Sequence, residues 1–69
     1  MVWERRGEAY YATVVGADGE PLYHLIVGEL PEGMWDCAVW SPGGDPALVV
    51  RGVARTVQEA MREAEKAAD

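Results

Sequence analysis

Apolar and polar residues alternate with a period of two through most of this chain, and the period changes to 3.6 only near the end. Residues 9–15 (AYYATVV) combine aromatic and β-branched side chains as strands do. Residues 22–27 (LYHLIV) predict a second strand, starting after Pro21, which has no amide hydrogen to give a ladder. Residues 34–41 (MWDCAVWS) and 47–54 (ALVVRGVA) predict a third and a fourth. Turn residues fill the intervals. Gly16-Ala17-Asp18-Gly19 holds an Asp-Gly pair suited to the positive φ of a tight hairpin turn. In Pro31-Glu32-Gly33, Pro fixes one φ and Gly supplies a positive one. Pro42-Gly43-Gly44-Asp45-Pro46 suits neither helix nor ladder and predicts an exposed loop. Residues 2–6 are short and mixed: either an edge strand or the frayed start of the first strand, broken at Gly7.

The change of period comes at Thr56. Thr56-Val57-Gln58-Glu59 has the form of a capping box, in which the Thr hydroxyl accepts from the Glu amide and the Glu side chain reaches back. Beyond it Val57, Ala60, Met61, Ala64, Ala67 and Ala68 fall on one helical face; Gln58, Glu59, Arg62, Glu63, Glu65 and Lys66 fall on the other. The expected helix is about 18 Å long. The fold class expected is therefore α+β: one domain over residues 1–69, an antiparallel four-stranded β-meander with one C-terminal α-helix packed on one face.

Alternation also sorts the strands into faces. An alanine-lined helix has to approach its sheet closely, which Gly52 permits and Arg51 opposes. Trp35, Cys37, Val39, Leu48 and Val50 are thus expected under the helix, joined by Ala12, Val14, Leu25 and Val27. The remaining face would hold Tyr11, Thr13, Val15, His24, Ile26, Ala38, Trp40, Val49 and Arg51. Trp, Tyr and Arg are enriched in protein interfaces, and a large exposed apolar patch usually marks a partner site. Tyr11, His24, Ile26, Trp40, Val49 and Arg51 are the candidate interface. Two readings stay open: a partner covers this face, or the chain covers it by bending the sheet or by laying residues 2–6 across it.

Composition narrows the function. With 69 residues the chain has room for one sheet and one helix, and a chain this short buries only about 60% of its unfolded surface. Its 49% apolar content argues against disorder and favours self-association. Six basic against twelve acidic residues give a net charge of −6, which disfavours duplex nucleic acid and anionic membranes, since both need Lys and Arg. Only a local cluster of Arg5, Arg6, Arg51 and Arg55 would change that. A single cysteine excludes an internal disulfide and fits a reducing cytoplasm. Residues 1–6 show no signal-peptide pattern, and no run is apolar enough to span a membrane. A bacterial or phage-infected cytoplasm is the expected setting.

Candidate chemistry is sparse. His24 and Cys37 fall on opposite faces, and no paired zinc-ligand spacing occurs. Cys37 lies in an apolar alternation between Trp35 and Val39, which suits a core residue better than a nucleophile. Glu29, Glu32 and Asp36 crowd one turn as a solvated cluster would, although paired carboxylates also do acid–base work. The Gly43-Gly44 loop lacks the lysine of a phosphate cradle. The tryptophans and tyrosines could stack bases, but without surrounding cations. No catalytic residue, cofactor or metal is expected.

The second half carries Trp35-x-x-x-Val39-Trp40, a Pro-Gly loop, and then Gly52-x-Ala54-x-Thr56-x-x-Glu59-Ala60 opening an Ala/Glu-rich helix. This pattern resembles short uncharacterised bacterial and phage proteins of β-meander-plus-helix type. The strand–strand–helix ending is also similar to that of the HicB-like antitoxins and of three-stranded DNA-binding modules of phage integrase arms and plants. Glu29-Leu30-Pro31-Glu32-Gly33 stands where the antitoxins have a longer Gly-Tyr…Pro-Asp-Leu-Pro-Gly segment, and the Arg-rich sheet of the DNA-binding modules is absent. The expectation is a non-enzymatic protein–protein interaction module, homodimeric through the uncovered sheet face. The alternative, implied by the antitoxin resemblance, is a regulatory protein that binds and neutralises a basic partner protein.

Overall fold

The computed structural model describes residues 2–42 and 47–68. Five strands, β1 (Glu4–Arg6), β2 (Ala9–Val15), β3 (Pro21–Glu29), β4 (Trp35–Ser41) and β5 (Ala47–Ala54), precede the helix α1 (Val57–Ala67). They form one antiparallel sheet in the order β1-β2-β3-β4-β5, a plain meander. The α+β class and the helix are as expected; the strand number is five rather than four. The extra strand is residues 4–6. Arg6 pairs with Ala9 across the two-residue turn Gly7-Glu8, and Gly7 takes a φ of +64°. Glycine at the first central position is what such a hairpin turn requires, so Gly7 reverses the chain rather than breaking a strand. Pro21 corrects a second boundary: it opens β3, paired with Val15 at an irregularity in the ladder. The expected loop over residues 42–46 falls mostly outside the described residues.

The turns follow their sequences. Gly19 donates its amide to the Gly16 carbonyl at 3.0 Å, and the Asp18 carboxylate accepts from the Glu20 amide at 3.0 Å. Gly33 donates to the Leu30 carbonyl at 3.1 Å. At the helix start Thr56 has extended backbone (φ −132°, ψ 158°). Its hydroxyl accepts from the Glu59 amide at 3.1 Å, and the Glu59 carboxylate reaches back to the Arg55 amide at 3.3 Å.

The helix packs on β3, β4 and β5. Ala60 and Ala64 lie against the sheet with no exposed surface, above fully buried Leu25, Val27 and Val39. Ala12, Cys37, Ala54 and Ala68 complete this core, with Tyr10, Val14, Tyr23 and Trp35 packed around it. Helical alanines leave no side-chain bulk between backbone and sheet, so the core is dense but thin. Trp3 closes its far side. Its indole N–H donates to the Glu65 carboxylate at 2.7 Å, tying the start of the chain to the helix.

Candidate functional site

The helix covers one face of the sheet, and among the described residues no strand or helix lies on the other. The ladder registers arrange that open face in rows. One row runs Glu4, Tyr11, Ile26, Ala38, Arg51; the next runs Arg6, Ala9, Gly28, Asp36, Val53; a third runs Thr13, His24, Trp40, Leu48. Residues paired directly across antiparallel strands share a face. Five of the six candidate interface residues, Tyr11, His24, Ile26, Trp40 and Arg51, therefore sit together. The sixth, Val49, is the extra residue of a bulge. Val39 pairs with Val50 but Trp40 pairs with Leu48, so two residues of β5 stand against one of β4.

That bulge corrects one placement. Strict alternation sends Leu48 under the helix; the slip of one residue returns it to the row of Trp40, on the open face, 45% exposed. The remaining helix-side expectations hold for Ala12, Val14, Leu25, Val27, Trp35, Cys37 and Val39, all of which belong to the core or pack on it. Val50 shares their face but keeps 38% of its surface exposed, because β5 lies at the edge.

The open face has an apolar centre and charged margins. Trp40 is 37% exposed and Val53 60%. Small residues, Ala9, Gly28 and Ala38, lie between them, and a Cβ at Gly28 would meet nothing within 4 Å. The margins are internally neutralised: Arg6 pairs with Glu4 at 3.2 Å while its guanidinium lies 5.5 Å from the Tyr11 ring centre, and Arg51 pairs with Asp36 at 3.5 Å. Hydrogen bonding and proximity to Glu4 raise the Arg6 pKa above its ordinary value. Thr13 Oγ1 lies 3.2 Å from His24 Nδ1. Residues 4–6 pair at the edge of the sheet rather than cross the face; Arg6 lies over Tyr11, and Val2, Glu4 and Arg6 flank a shallow cavity that reaches His24 and Trp40.

Arg5, Arg6, Arg51 and Arg55 do not gather. Arg5 lies over Tyr10 at 5.9 Å on the helix side, Arg6 and Arg51 lie at opposite margins of the open face, and Arg55 precedes the helix. Trp35 and Trp40 likewise belong to opposite faces. Glu29 pairs with Trp35 and Asp36 with Val53, so the acidic turn is divided between faces. Among the described residues no three His, Cys, Asp or Glu side chains converge as metal ligands. His24 pairs with Trp40 on the open face, whereas Cys37 lies in the core at 3% exposure. Burial pushes the Cys37 thiol pKa up, and the carboxylates of Asp36 and Glu63 add to the shift, against a lowering contact from the Gly52 backbone. Among the described residues no helix is long and apolar enough to cross a membrane. Comparison with family models, curated proteins and solved structures gives no match.

Proposed function

We propose that this chain is a non-enzymatic protein–protein interaction module whose working surface is the uncovered sheet face. The observation that carries the reading is the row Thr13–His24–Trp40–Leu48 beside Tyr11 and Ile26: exposed Trp40 and Leu48 with aromatic and aliphatic neighbours, and among the described residues no strand or helix above them. A second copy stacked face to face is the simplest occupant, since each sheet offers projecting apolar side chains (Trp40, Ile26) beside positions with little or no side chain (Gly28, Ala38). Aromatic anchors seated in pockets are the usual energetic centres of interfaces. A dilution series followed by amide chemical shifts tests this. Residues in the rows of Ile26 and Trp40 should move with concentration while Ala60 and Ala64 stay fixed; shifts absent from those rows would refute it.

A second reading rests on charge. The net charge of −6 favours a basic protein as occupant of the same face. Co-purification with the product of a neighbouring gene encoding a basic protein, lost on substituting Trp40, would select that reading over self-stacking.

A further inference from the structure

The two edges of the sheet are built differently. β1 is three residues, all of them charged, and short charged edges are a device that discourages strand addition. β5 is eight residues with one charge, Arg51, and pairs only with β4. Its bulge disturbs the first half, but from Val50 to Ala54 the ladder is regular. The outer backbone groups of that stretch have no strand partner among the described residues. Beside it the helix runs back along the sheet, making a groove with Val50 and Gly52 as floor and Glu59, Arg62, Glu63 and Lys66 as wall.

The wall reads minus, plus, minus, plus. Against an antiparallel copy of itself it is complementary: Glu59 faces Lys66 of the second copy, and Arg62 faces its Glu63. The strand obeys the same symmetry. Antiparallel pairing of residues 50–54 about Gly52 sets Val50 against Ala54 and Arg51 against Val53 of the second copy. It keeps the two arginines from standing directly opposite, where like charges are destabilising. Gly52, Arg62 and Glu63 line the same groove, which is what a single two-fold axis normal to the sheet needs in order to serve both patterns. An unrelated strand would satisfy the backbone equally but, unlike a second copy, brings no helix to set against the wall.

We propose that two copies of this chain join antiparallel through the β5 edges into one continuous sheet, with their helices side by side. This interface is separate from the open face and leaves it free, doubling its extent.

Sedimentation equilibrium with charge-swap variants in a Trp40→Glu background, which removes the face contact, tests the proposal. Arg62 and Glu63 are exposed, so their substitution spares the core. The Trp40→Glu chain should still dimerise. Adding Arg62→Glu or Glu63→Arg should each raise the dissociation constant by about tenfold, because every contact occurs twice in the symmetric dimer. Mixing the two variants, or combining both changes in one chain, should restore it. Amide exchange in β5 should slow with concentration while that in β1 does not. Charge variants without effect, no rescue on mixing, or β5 exchange independent of concentration would overturn the edge pairing. The face reading fails separately, if Trp40→Glu leaves the mass of the otherwise unaltered chain unchanged.

Discussion

Cys37 shows how far a single residue can be read. Its neighbours alternate Trp35-Asp36-Cys37-Ala38-Val39, and this pattern alone assigns it to the helix side, where it is 3% exposed. In such a position the thiolate is disfavoured. Alkylation of the native protein at pH 8 should run more than about a hundredfold slower than in denaturant, since it requires opening of the core; comparable rates would show the site to be accessible. The sign of the pH dependence follows. With its folded pKa raised, the thiol's contribution to stability is complete below the unfolded value of about 8.5 and is lost as pH climbs above it. Denaturant titrations should show the stability advantage of the wild type over Cys37→Ala shrinking on the alkaline side. Leu48 shows the opposite case. Nothing in ALVVRGVA marks the residue at which the ladder slips, so parity counted from Ala54 fails beyond Val50. A bulge depends on pairing across strands, which one strand's pattern does not contain.

Among the elements the helix was the most legible, because capping chemistry and the 3.6 period agree at Thr56 and Val57. Its alanine stripe also foretold close packing: Ala60 and Ala64 touch the sheet with no room to spare. Ala64→Leu should therefore destabilise the fold by about 1–3 kcal/mol through overpacking, although leucine is a good helix former. An unchanged denaturation midpoint would mean that the helix stands off the sheet. β1 was ambiguous for a physical reason. Three residues carry too little alternation to register as a strand, and the signal lay in the turn, where Gly7-Glu8 suits a two-residue hairpin loop. The Trp3–Glu65 bond joins elements 62 positions apart, and no local pattern announces it.

At the scale of the whole molecule the interior is small for the sheet it supports. Of the buried side chains among the described residues, only Leu25, Val27 and Val39 are larger than alanine or cysteine. The chain exposes 4861 Å², against about 4,200 Å² for a folded monomer of this size. The excess is what one helix on a five-stranded open sheet produces. The helix-side face could be composed from the sequence almost residue by residue, and so could most of the open face, since both rest on alternation. The occupant of the open face could not, because complementarity belongs to two surfaces and the chain encodes one. Binding by any occupant would add stability by mass action to a fold with little of its own.

The central claim is that the uncovered face carries association, and sedimentation equilibrium of the wild type beside Trp40→Glu tests it most directly. The prediction is a concentration-dependent mass above the monomer for the wild type, and a lower mass at equal concentration for Trp40→Glu, with unchanged circular dichroism. Equal masses for the two proteins, or a wild type that stays monomeric at high micromolar concentration, would contradict it.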